Sequence, residues 1–343
     1  MTPRSSQDRP TFSLDEETLR ANARAWRRHV GVPIAAVVKA DGYAWGCERI
    51  IRAVENEVER FFVADMGEFE TARRVTERPI ALLGDVPPEF VGQVLDARGL
   101  PNVSTSEGLA AATAWAADRG RTARIRVGLR PAVLWYGFEE AALREFAPQL
   151  AESGCEVECW THLPDPSCDG AQLAAFERAV AHLRTCGVRV VGTDVTSTFP
   201  AARLGSARGA FVRLGVGLFG ARREGPREVR CALRVHARLI RSEPAQGQTL
   251  GYGNARAPMT GRLVVLRCGY GDGFPRIGNA PVGRLLFCGM QYTLAHAILT
   301  VDGSDNELVG AATDLDALAS ATSLAAHEIV VRLGMGASYL HDD

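Results

Sequence analysis

Lysine is almost absent from this sequence. Of the 39 lysine and arginine residues in 343, Lys39 alone is a lysine. A chain that uses arginine wherever positive charge is wanted keeps a lysine where arginine cannot do the chemistry. The guanidinium stays protonated and forms no imine, whereas a desolvated lysine amine loses its proton and attacks an aldehyde. Composition alone leaves a chance surface lysine as the other reading. Long apolar runs are also missing, which excludes a transmembrane helix, and the first residues are polar, without the apolar core of a secretory leader. Net charge is scarce in either direction. The formal value is −1 and the arginines are scattered, so nothing favours nucleic acid or an anionic membrane as a partner. The eight cysteines show no ligand spacing, so no metal is predicted and free thiols in the cytoplasm are expected.

What is present reads as an ordinary soluble chain, 46% hydrophobic and 23% charged, long enough for two domains. Residues 13–29 form an expected helix, with Ser13 as N-cap, Glu16 three residues on, and Leu19, Ala23 and Trp26 on one face. Strands are predicted over 34–38, 60–64, 79–83, 101–104, 123–129, 155–162, 188–195 and 211–214, with helices over 66–76, 106–119, 139–152 and 171–186. That rhythm is the one of a parallel (β/α)₈ barrel. A doubly wound open sheet is the alternative, but no Gly-rich dinucleotide fingerprint follows the first strand. After Gly220 the pattern changes to strands over 229–241, 262–269, 283–288 and 297–302 between Gly and Pro turns, with a helix near 314–321. This is a second, mostly β domain. The polar stretch Arg222-Arg223-Glu224-Gly225-Pro226 divides the chain into 1–222 and 223–343.

Barrel active sites lie at the C-terminal ends of the strands, with phosphate often held after the seventh and eighth. Lys39 ends the buried run Ala35-Ala36-Val37-Val38, at the tip of the first barrel strand. His162 closes the sixth, Ser197 follows the seventh, and Arg213-Leu214-Gly215-Val216-Gly217 leaves the eighth. A serine hydroxyl and glycine-exposed amides suit a phosphate dianion, and with an imine-forming lysine they point to a phosphorylated aldehyde, of which pyridoxal 5'-phosphate is the common one. Taken singly each residue has a structural explanation: Ser197 as a helix cap, the glycines as turns, His162 as a core histidine, Arg213 as an ion-pair partner on the rim. Their convergence on one rim with the sole lysine favours a site.

These residues also carry a resemblance. Val37-Val38-Lys39-Ala40-Asp41-Gly42-Tyr43, Val212-Arg213-Leu214-Gly215-Val216-Gly217-Leu218-Phe219-Gly220 and Gly269-Tyr270-Gly271-Asp272-Gly273-Phe274-Pro275-Arg276 resemble three motifs of the alanine racemase family, in the family's order, from Ser13 to about Leu333. The resemblance implies a fold-type III pyridoxal phosphate enzyme, a C-terminal β domain and a homodimer. It implies that Lys39 holds the cofactor and acts as one acid/base. Tyr43, Ser197 and the backbone at Gly215 and Val216 would bind the phosphate. Arg213 would face the pyridine nitrogen, and Tyr252, in Leu250-Gly251-Tyr252-Gly253, would be the second base, acting across the subunit interface. His162 would link Tyr252 to Arg213. Two bases on opposite faces of Cα are what racemisation needs. A tyrosine with an ordinary pKa of about 10 needs a positive field to serve as one of them.

The surrounding pattern departs from the family. Aligned on Gly137-Phe138, Gly128 stands at a family lysine position and Trp135 where the family has an arginine that steadies the substrate carboxylate. Arg126 and Arg130 lie on the same stretch as possible substitutes. The family's Met-Asp pair falls near Thr293-Leu294, and His327 replaces a tyrosine before Glu328. Trp135, Arg130, Tyr270, Thr293 and His327 are therefore the expected substrate pocket. A racemase or epimerase for an amino acid other than plain alanine is expected. The alternatives are decarboxylation, elimination or cyclisation with the same cofactor, or a non-catalytic pyridoxal phosphate-binding protein. The purified protein should show an imine absorbance band near the visible edge that Lys39→Ala removes; a native protein lacking the band would dismiss the cofactor.

Overall fold

The computed structural model describes residues 9–130, 137–163, 169–195, 197–198, 210–251, 256–277, 285–297, 307–310 and 315–341. Short apolar runs give a parallel sheet of eight strands: β2 (Ile34–Val37), β3 (Arg60–Val63), β4 (Ile80–Asp85), β5 (Gly99–Asn102), β6 (Arg124–Gly128), β7 (Glu156–Trp160), β8 (Arg189–Asp194) and β9 (Val212–Leu214). Their order is β8-β7-β6-β5-β4-β3-β2-β9. The two ends meet where the Ala210 amide donates to the Thr193 carbonyl at 3.0 Å, so the sheet closes on itself. Helices Met66–Arg73, Ser106–Arg119, Glu140–Glu152 and Asp169–Thr185 return the chain between strands. This is the expected (β/α)₈ barrel.

The interior follows from the two-residue alternation of a strand. Ala35, Val37, Phe62, Ala81, Leu100 and Phe211 form an apolar plug, separate from the core between strands and helices. The neighbouring strands bring charge instead. Glu158 accepts from Arg60 at 2.8 Å and from Arg124 at 2.6 Å. Asp194, 1% exposed, lies 2.8 Å from Arg126 and 3.0 Å from Arg213. The Arg126 guanidinium is 0% exposed and lies over the rings of Phe62 and Trp160, at 4.6 and 5.2 Å. Removing one member of such a network leaves an uncompensated charge in the interior.

The start of the chain corrects the expected first helix. Phe12 and Leu14 are buried and Thr11 and Ser13 exposed, so Thr11–Leu14 is a strand, β1. The helix is Glu16–Val30, and its cap is Asp15, whose Oδ1 accepts from the Thr18 amide at 3.1 Å.

The C-terminal part is mostly β: β10 (Leu233–His236), β11 (Leu239–Pro244), β12 (Arg262–Leu266), β13 (Leu285–Cys288), β14 (Thr293–Ala297) and β15 (Glu307–Val309). These form an antiparallel sheet β1-β10-β15 and another in the order β11-β12-β14-β13. The single strand expected over 229–241 is thus two strands, in different sheets. Thr293–Ala297 shares only Ala297 with the range expected for the last strand, whose residues 298–302 lie outside the described residues. Two helices close the chain, Leu315–Thr322 and Ala326–His341. The second was not expected, because Gly334 and Gly336 weaken its helical pattern. They are needed for close approach: a Cβ on Gly334 would sit 2.6 Å from the Ala44 carbonyl oxygen, and one on Gly336 2.6 Å from that of Asp272. The seven cysteines among the described residues are free, and no helix there is long and apolar enough to cross a membrane.

Loss of the observed cap in Asp15→Ala should cost about 1 kcal/mol in urea denaturation, as caps typically do. Ser13→Ala, on the exposed face of β1, should change it by no more than a few tenths.

Candidate active site

Lys39 leaves β2 where strand pairing ends, and the chain then turns left-handed. Five successive residues have positive φ: Ala40 at 53°, Asp41 at 49°, Gly42 at 62°, Tyr43 at 60° and Ala44 at 65°. Only Gly42 adopts this freely; for the others it costs about 1–2 kcal/mol per residue. The turn is held from several sides. The Gly42 amide donates to the Val38 carbonyl at 2.9 Å and that of Gly46 to Asp41 at 3.0 Å. Asp41 Oδ1 accepts from the Cys47 amide at 2.7 Å, and the Trp45 indole N–H donates to the Val330 carbonyl at 3.0 Å.

The reversed turn carries Tyr43 back under the barrel mouth. Its ring packs against Phe219 at 5.4 Å, and its hydroxyl lies against Gly215. A Cβ at position 215 would come within 2.0 Å of that oxygen. Glycine there is a requirement of space. Register does the rest: Ala35 pairs with Arg213 and Ala36 with Leu214, so the exits of the first and eighth barrel strands are neighbours.

Electrostatics at the mouth favour a neutral amine. Lys39 is exposed to solvent at the end of β2, and the barrel atoms around its amine desolvate it only in part. Burial lowers its pKa, the Arg213 charge lowers it further, and Glu68 opposes both. Burial pushes the Tyr43 phenol well above its ordinary range, so it serves as a neutral hydrogen-bonding group. His162 is pushed down to about 4, first by burial and then by the charges of Arg213 and Lys39, and is therefore neutral at neutral pH. Arg213 donates to the Thr161 carbonyl at 2.7 Å and pairs with Asp194, which fixes its plane.

The structure thus gathers Lys39, Tyr43, His162, Arg213, Gly215 and Val216 at one end of the barrel. Ser197 follows β8 at the same rim, and the next residue, Thr198, lies against Gly217, where an added Cβ would meet its methyl at 2.7 Å. Tyr252 and Trp135 lie outside the described residues.

The expected substrate pocket is not assembled with them. Thr293 is enclosed in its sheet, 0% exposed, its hydroxyl donating to the Cys268 carbonyl at 2.9 Å; it has no surface to offer a ligand. His327 lines a cleft of about 660 Å³, with Gly271, Asp272, Glu328 and Arg332, whose walls include neither Lys39 nor Arg213. Tyr270 is partly exposed in the turn beside that cleft. Arg130 pairs with Glu139 at 3.1 Å. Arg126 is committed to Asp194 and to the Leu82 carbonyl inside the barrel, so it cannot replace an arginine that meets substrate.

At Gly128 a side chain has no room, since a Cβ would fall 2.9 Å from the Trp160 ring. The Trp160 indole N–H donates to Asn102 Oδ1 at 2.6 Å, and Asn102 donates to Asp85 at 2.5 Å. Sequence reasoning missed Trp160, Asn102, Asp194 and Glu68. The inward alternation of the predicted strands, extended to polar residues, would have found the first three.

A sequence model of the alanine racemase N-terminal domain matches residues 14–223. The chain belongs to the alanine racemase family. The alanine racemase of a Methylobacterium strain is 30% identical, over 92% of this chain and 94% of its own length. That of Acidiphilium cryptum is 29% identical, over 95% and 96%. Among solved structures, the alanine racemase of a D-cycloserine-producing Streptomyces lavendulae shares the fold with a TM-score of 0.77 at 22% identity, covering 97% of this chain and 96% of that one. One from Bartonella henselae, with covalently bound pyridoxal phosphate, has a TM-score of 0.76 at 21% identity, covering 95% and 97%. Enzymes of the family are pyridoxal phosphate-dependent isomerases.

His162 gives a pH test. A histidine whose folded pKa lies near 4 and whose unfolded value is 6.5 contributes stability that is complete above pH 6.5 and is lost as pH falls through about 4. Thermal stability should decline over that window, and His162→Gln should flatten the decline; an unaltered profile would remove His162 as its source.

Proposed function

We propose that the protein is a cytoplasmic pyridoxal phosphate-dependent amino acid racemase or epimerase, with Lys39 and Tyr252 as its two bases and a substrate other than plain alanine. The single observation that carries the reading is the sole lysine, its amine pKa depressed, at a barrel mouth where Tyr43 faces Gly215. The residues fit the cofactor. The neutral Tyr43 phenol lies directly against Gly215, whose backbone carries no side chain to separate them, and the lysine that would hold the aldehyde leaves the adjacent strand.

When bound, the cofactor withdraws electrons from Cα and makes its proton labile. Tyr43, Ser197 and the backbone of Gly215 and Val216 would hold the phosphate. Lys39 takes or returns the Cα proton on one face and Tyr252, from the second subunit of a homodimer, on the other. Arg213, its orientation set by Asp194 and Thr161, would face the cofactor's ring nitrogen. His162, neutral, would relay a hydrogen bond between Arg213 and Tyr252 without adding charge.

Substrate choice follows from what has been replaced. With Arg126 sequestered, Arg130 is, among the described residues, a guanidinium near the β6 exit for a carboxylate, held by the exposed Glu139. The Trp160 ring fills the space at Gly128, so an aromatic group stands where the family has a lysine, which favours a substrate other than plain alanine. The same replacement favours a second reading, in which the cofactor serves decarboxylation, elimination or ring formation; recovery of only the inverted amino acid from the true substrate would end it.

In deuterated water, Cα of the true substrate should exchange from both faces. Tyr252→Phe should reduce exchange on one face by at least about a hundredfold, the usual worth of an acid/base group, and spare the other. Equal rates from both faces in that variant would refute the two-base assignment.

A further inference from the structure

The turn after Lys39 is a chain of strained residues, and nothing within it satisfies its first amides. Ala40 and Asp41 present their N–H groups outward, in a conformation that offers no preceding carbonyl. Both point at one side chain. Glu68 Oε1 accepts from the Ala40 amide at 2.5 Å and from the Asp41 amide at 3.3 Å. Its other oxygen, Oε2, accepts from the Ala64 amide at 2.7 Å, one residue past β3. Glu68 itself is fixed at the start of its helix, where its own amide donates to Asp65 Oδ1 at 3.0 Å. A single carboxylate therefore ties the exit of the first barrel strand to the exit of the second.

We propose that Glu68 is the positioning residue of the reactive lysine, bridging Ala64 to Ala40 and Asp41 so that the backbone of Lys39 is held and a negative charge is set beside its amine. The inference deepens the proposed function and rests on it for the statement that Lys39 is the reacting group. The chemistry of the bridge is specific. Each oxygen must accept from a backbone donor, so a glutamine would turn an amide nitrogen towards an N–H, and an aspartate would keep the charge but lack the reach.

The charge has its own consequence. Burial and Arg213, on β9, both favour the neutral amine, and Glu68 is the group that opposes them. Neutral His162, after β7, adds no field of its own, and the Asp41 carboxylate is turned to the Cys47 amide. Glu68 also helps push the buried Cys47 thiol up to about 12, behind burial as the main cause and with Asp41 and Glu48 acting in the same sense. That thiol is kept protonated beside the lysine turn. Removing the Glu68 charge should lower the proton affinity of Lys39 and leave more free amine at neutral pH.

The full-length protein freed of cofactor tests this without reference to catalysis. Because the chain has one lysine, competitive acetylation with acetic anhydride, read by peptide mass across a pH series, reports the Lys39 amine alone. In Glu68→Gln the midpoint should move to lower pH, and amide hydrogen exchange in the peptide containing Ala40 and Asp41 should accelerate. In Glu68→Asp exchange should accelerate with a smaller change in midpoint, which separates reach from charge and serves alone if the Gln variant does not fold. Native-like exchange in either folded variant overturns the bridge, and an unmoved midpoint in Glu68→Gln overturns the charge. Loss of the imine band in Lys39→Ala tests the cofactor reading separately, so the two failures are distinguishable.

Discussion

The pairing of β2 with β9 is the constraint on which the site depends. It closes the barrel on its first side and brings the exits of two strands, remote in sequence, to the same level. One exit carries the lysine. The other carries Gly215, against which the Tyr43 hydroxyl fits only because no side chain is there. A shift of this register by one residue would turn every inward group of one strand outward and separate the amine from Arg213. Strained backbone at Ala40 through Ala44 is tolerated at this junction because the neighbouring strand, the following helix and the C-terminal helix each hold part of it.

The interior beneath that junction is unusual in where it places charge. One half is an ordinary apolar plug. The other is a ladder of guanidinium groups and two carboxylates, with Phe62 and Trp160 as the faces on which Arg126 and Arg213 lie. Asp194 serves two arginines at once, and desolvation raises its pKa even as they lower it. Such a core gives less stability than an apolar one of the same volume, but it fixes the plane of Arg213, which packing alone would leave free to rotate.

Much of this was legible in the sequence. The eight barrel strands appear where short apolar runs predicted them, because a strand covered on both faces leaves a run without polar interruption. Lys39 stood out by its rarity, and Arg213 with its glycines by a motif. The rest was hidden for physical reasons. Ser13 looks like a cap, but Phe12 and Leu14 are better buried in a strand than in a first helical turn. The helix Ala326–His341 contains glycines whose cost is local and whose use, contact with Ala44 and Asp272, is distant. Glu68 and Asp194 are acidic residues with no local signature, and their meaning lies wholly in which donors the barrel brings to them.

One topological feature bears on synthesis. Among the described residues, β1 pairs with β10, more than two hundred residues on, and β10 in turn pairs with β15. All eight barrel strands lie between β1 and its partner in sequence, so the barrel is made before that pair can form. Non-local closure of that kind slows folding and leaves an unmatched edge exposed meanwhile. The sheet β1-β10-β15 is accordingly completed late, when its last strand joins a pair drawn from both sides of the barrel.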